Sequence, residues 1–166
     1  MQLKDFTAAF EAAKGVDASQ ARKESQRFFA QKDYMMAGIY AIIAGDYGAS
    51  MFDSVLLALN EKEQTENIQT LLTEACRYNP QLGETHVLFV QELKDSFKGD
   101  VYAVTFNAVY NSGITMNDPL FTDEQIRWFA SEGKTGYARK MKKRMAVNFA
   151  KRVASLDEAI YSAEKK

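Results

Sequence analysis

Tyr34-Met-Met-Ala-Gly-Ile-Tyr-Ala-Ile-Ile-Ala44 is an uncharged run of 11 residues, interrupted in its apolar character only by Gly38. Read as a helix it is apolar on every side, and a helix of that kind belongs inside a bundle, because no face of it is suited to water. It falls well short of the ~20 apolar residues needed to cross a bilayer, so no membrane-spanning segment is expected. Asp33 stands where it can cap the first turn and Gly45 where a helix stops. The fold that follows is an all-α bundle with Tyr34–Ala44 at its centre.

The flanking sequence supplies the other helices. Leu3, Phe6, Phe10 and Ala13 form one stripe that closes at Gly15, and Asp17 with Gln20 makes a capping-box start for a helix to about Gln31. Ser50 with Asp53 is expected to begin a helix through Phe52, Val55, Leu56 and Leu59. Asn60 with Glu63 is expected to cap the next, through Ile68, Leu71, Leu72 and Ala75 to Tyr78, before Pro80. Thr122 and Gln125 form a further box, with Phe121 stapled onto Ile126, and that short helix stops at Gly133. Residues 86–110 are rich in β-branched and aromatic side chains, which leaves a small hairpin as the alternative there. The helical spacing of Val87, Val90, Leu93 and Phe97, with Asp100 as cap and Gly113 as stop, favours two helices instead. The expectation is a single helical domain over 1–166 of about seven or eight helices.

The same sequence offers little for catalysis. One His and one Cys among 166 residues do not make a transition-metal site, and no metal or cofactor is expected. His86 reads as a capping or partly buried imidazole, and Cys76, between Ala75 and Arg77, as an inert packed thiol. Gly45-Asp-Tyr-Gly48 and Ser112-Gly-Ile-Thr115 lack the Gly-Lys-Ser/Thr ending of a phosphate loop and read as turns. Asp123/Glu124 and Asp157/Glu158 are adjacent pairs, which diverge on a helix rather than share a proton. The expectation is therefore no enzyme. A single cysteine and an N-terminus without the layout of a secretory signal suggest a cytoplasmic location.

What does stand out is the distribution of charge. Between Gly133 and Leu156 lie eight cations (Lys134, Arg139, Lys140, Lys142, Lys143, Arg144, Lys151 and Arg152) and no carboxylate. The whole chain has net charge −1, so the remainder carries −9. A helix at about 136–163 would place Tyr137, Met141, Met145, Phe149, Val153, Leu156 and Ile160 on one side, a stripe expected to pack on the bundle. At ~100° per residue from Met141, Lys140, Arg144 and Lys151 cluster near −60° to −100°, and Arg139 and Lys143 near 160° to 200°. Like charges at i,i+3 and i,i+4 cost roughly 0.2–0.5 kcal/mol per pair, which an anionic partner relieves. The expected partner is nucleic-acid phosphate, contacted by Lys134, Arg139, Lys140, Lys143, Arg144 and Lys151 with weak sequence preference, since Asn148 alone is thin support for base readout. The alternative is a protein-protein interaction module, an adaptor or inhibitor, presenting its acidic body or basic helix to an oppositely charged protein. Neutralisation of the basic helix by the acidic body is a third, purely structural reading.

Overall fold

A computed structural model describes residues 2–112 and 123–165. Along the chain run α1 (Leu3–Ala13), α2 (Ala18–Ala30), α3 (Tyr34–Ala44), a 3₁₀ turn (Gly45–Gly48), α4 (Ala49–Glu61), α5 (Thr65–Tyr78), α6 (Pro80–Glu92), α7 (Val101–Ser112), α8 (Asp123–Ser131) and α9 (Thr135–Glu164). No strand occurs among the described residues, so the protein is an all-α helical bundle. The hairpin alternative at 86–110 is replaced by α6 and α7. Val87, Val90, Val101, Val104 and Val109 are all buried there, and burial of those side chains outweighs a β propensity that is small per residue. The residues cluster into two compact units, Met1–Ile114 and Thr115–Lys166.

In the first unit α3 is the centre. Met35, Ala37, Gly38, Ile39, Ala41, Ile42, Ile43 and Ala44 are buried, with Ile39 at 0% exposure. Helices α1, α2, α4 and α5 pack around it. Its partner α2 is polar on one side, and Ser25 crosses the interface to donate its buried hydroxyl to the Ala37 carbonyl at 2.7 Å. Phe28 stacks on Tyr40 beside that bond, with ring centroids 5.6 Å apart. The α2–α3 turn is a Schellman motif: Asp33 N–H donates to Phe28 O at 3.0 Å and Lys32 N–H to Phe29 O at 2.9 Å. That closure puts Lys32 in the left-handed region at φ 63°, while the Asp33 carboxylate accepts from Met36 N–H at 3.3 Å as the cap.

The helical run Tyr34–Glu61 is long and apolar enough to cross a membrane by length and composition alone, with a mean hydropathy of 1.3 over an 18-residue window. Gly45, at φ 63° and ψ −129°, breaks it into α3 and α4, and the apolar surface of α3 is met by its neighbouring helices. Other caps follow the sequence closely. Asp17 accepts from Gln20 N–H at 2.9 Å, Asp100 from Ala103 N–H at 3.0 Å, and Asn79 from Leu82 N–H at 3.4 Å with Pro80 at the first turn of α6.

Two expected caps are corrected. Ser50 lies inside α4, which begins directly from the 3₁₀ turn with Gly48 at its N-cap, and its carbonyl accepts from the Ser54 hydroxyl. Asn60 does not start a helix: it is buried in the last turn of α4. Its amide donates to Ser96 O at 3.3 Å and accepts from Lys98 N–H at 3.0 Å, clasping the segment between α6 and α7. Helix α4 ends instead in a second Schellman turn, with Glu63 at φ 58° and Gln64 N–H donating to Leu59 O at 3.0 Å. Helix α5 then starts at Thr65 without a side-chain cap. The Thr122–Gln125 box, its Phe121 staple and the Gly113 stop lie outside the described residues.

Candidate nucleic-acid interface

The second unit is a helical hairpin. Helix α8 stops in a third Schellman turn, where Gly133 takes φ 77° and the Lys134 N–H donates to Phe129 O at 2.9 Å. Gly133 and Lys134 thus connect two helices, with Thr135 and Gly136 already in the first turn of α9. Helix α8 folds back on the start of α9. Phe129 is fully buried with its ring 5.6 Å from that of Tyr137, and Ala138 and Met141 are buried as well.

Helix α9 is 30 residues, about 45 Å at 1.5 Å per residue, whereas α8 has nine. A partner that short reaches only the first turns of a rod that long. The stripe expected to pack along its whole length is therefore covered at Met141 and open further on. Phe149 is 61% exposed, Val153 39%, Leu156 56% and Ile160 56%.

Among the residues assigned to phosphate from the sequence, Arg139, Lys140, Lys143 and Lys151 are exposed on α9. Arg144 is half-buried. Lys134 precedes α9 and is also half-buried, its ammonium 6.0 Å from the Phe129 ring centroid, a cation–π distance that ties it to the hairpin turn. The helix brings Arg139, Lys140, Lys143 and Arg144 within two turns, and Lys151 returns to the angular position of Lys140 and Arg144 roughly 16 Å along the axis. The first unit holds 10 Lys/Arg against 15 Asp/Glu and the second 11 against 7. Net charges of −5 and +4 follow, so the polarity seen in the sequence is a polarity between units.

One polar pair escaped the sequence. His86 sits in the middle of α6 rather than at a cap, almost fully buried, with Nδ1 2.8 Å from Asp53 Oδ1 and its ring 4.4 Å from that of Phe52. Thirty-three residues separate the pair, on helices α4 and α6, so no local spacing announces it. Nearby Cys76 is fully buried, and burial pushes its thiol up to about 12, which leaves it un-ionised and non-nucleophilic at neutral pH. A cleft of about 380 Å³ is lined by Thr7, Thr70, Thr73, Glu74, Arg77 and Asn111. Arg77 there donates to Asn111 O at 3.0 Å and pairs with Glu74 at 3.4 Å. No group of three His, Cys, Asp or Glu side chains is placed to hold a metal among the described residues. Comparison with protein-family models, curated proteins and solved structures finds no match for the chain.

Proposed function

We propose that the protein is a small non-enzymatic binding protein whose helix α9 engages nucleic-acid phosphates. The observation that carries this reading is the exposure of Arg139, Lys140, Lys143 and Lys151 on one helix within a stretch, Gly133 to Leu156, that holds no carboxylate. Contacts from Lys and Arg to phosphate supply affinity without sequence information, so the preference among sequences is weak. Arg144 and Lys134, half-buried, contribute at the base of the site.

Binding of a duplex oligonucleotide followed over a salt series tests it. Each phosphate neutralised lowers log K by about 0.9 per decade of salt, so four or five contacts give a slope near −4. The triple variant Arg139→Glu, Lys140→Glu, Lys143→Glu changes only exposed positions and uses a good helix former, so its circular dichroism should match wild type while most of the slope disappears. No binding by wild type at ~50 mM salt, where such contacts are strongest, overturns the reading. The net −5 of the first unit then favours the second one, an interaction module that presents an acidic surface to a basic protein.

A further inference from the structure

The open half of α9 carries a pattern that its neighbours in the chain do not use. Ala146, Phe149, Val153, Leu156, Ile160 and Ala163 follow one another at spacings of 3, 4, 3, 4 and 3. That is the a/d alternation of a coiled coil, with Ala146, Val153 and Ile160 at a and Phe149, Leu156 and Ala163 at d. Among parallel coiled coils, β-branched residues at a with Leu at d, as at Val153, Ile160 and Leu156, favour two strands. The four large side chains of the seam are 39–61% exposed, on a helix that is unbroken from Thr135 to Glu164.

The flanking charges select the partner and its direction. In this register Arg152 is a g position and Asp157 the following e position. Across a parallel, in-register pair each Arg152 meets the Asp157 of the other helix, twice by symmetry. An antiparallel pair sets e against e, so Asp157 and Glu164 face only carboxylates or Ala150. A bilayer suits the seam less well: Asp157 and Glu158 lie in its middle, where an interfacial helix carries cations. We infer that α9 is also a self-association element, pairing with a second copy of this chain as a short parallel coiled coil over residues 146–163.

The seam centres near +90° on the wheel that puts Lys140, Arg144 and Lys151 near −60° to −100°. Lys140, Arg144 and Lys151 therefore lie opposite the seam, Arg139 and Lys143, near 160° to 200°, precede its first residue along the helix, and the inference stands without the nucleic-acid reading.

Sedimentation equilibrium of the full chain tests it. Wild type should pass from monomer toward dimer as its concentration rises toward ~0.5 mM, where even a weak sub-millimolar dimer is populated. Leu156→Glu should remain monomeric with unchanged helicity. Arg152→Glu and Asp157→Arg should each weaken the dimer, and the two together should restore it, an outcome that unfolding or general stickiness does not produce. Leu156→Cys should cross-link to itself under mild oxidation, because d positions meet their own counterparts only in a parallel, in-register pair; native Cys76 is buried and does not compete. Arg139→Glu, Lys140→Glu, Lys143→Glu should dimerise as wild type does. A wild type that is monomeric throughout, or double charge reversal without rescue, overturns the inference. So does a monomer that binds anionic phosphatidylserine vesicles through Leu156, which assigns the seam to lipid.

Discussion

Asn60 shows how far one residue can be misjudged from its neighbours in sequence. Followed by Glu63, it has the look of an N-cap, but an N-cap requires a helix to begin there, and Asn60 continues α4 while its amide reaches 36 and 38 residues ahead. Local spacing carries no information about a partner at that distance. His86 with Asp53 is the same case. Asp17, Asp33 and Asp100, by contrast, were legible because each caps a helix three residues away. Asn60→Ala should cost about 1–2 kcal/mol, the loss of two hydrogen bonds whose far ends water can partly satisfy, given that Ser96 and Lys98 are exposed. Urea unfolding followed by circular dichroism measures it, and a change below about 0.5 kcal/mol would mean that the clasp is not a stabilising contact.

Among the elements, α3 and α9 mark the two limits of sequence reading. Helix α3 was fixed by composition, since an all-round apolar helix of 11 residues has one stable environment. The stripe of α9 looks equally ready for burial; its neighbour was legible as a short helix stopping at Gly133, but periodicity does not say how much of a stripe such a helix covers. Close helix approach is a third property that spacing hides. A Cβ on Gly83 would lie 2.5 Å from Cys76 Cα and 2.8 Å from its N, so α6 rests directly on the α5 backbone. On Gly38 it would meet the side chain of Leu71, its two methyls at 2.8 and 2.9 Å and its Cγ at 3.4 Å. Gly83→Ala should therefore destabilise by about 3 kcal/mol or more, because backbone must move. Gly38→Ala should stay within about 1 kcal/mol of wild type, as the shift of Leu71 is offset by the helix propensity of Ala. Thermal melts of the two variants decide it, and equal losses would contradict the distinction.

At the scale of the molecule, the charge asymmetry was legible from counting, since Lys and Arg in the chain's last quarter are countable without a fold. The packing of the first unit has a consequence for how fast it is made. Helices α2 and α3, α3 and α4, and α5 and α6 pack as neighbours in the chain, and the extensive α5–α7 contact skips a single helix. Little of the chain must be drawn together before contacts repay the ordering, which is the topology of folding in microseconds to milliseconds. Stopped-flow dilution from urea should find the major refolding phase of wild type complete within roughly 10 ms, with only a minor phase of tens of seconds from chains that carry a cis X-Pro bond when unfolded; a major phase of seconds would show a barrier that topology does not supply. The Asn60 clasp joins the end of α4 to a segment beyond two intervening helices, 36 and 38 residues ahead. It should form after the rate-limiting step, so that Asn60→Ala speeds unfolding and leaves the folding rate nearly unchanged.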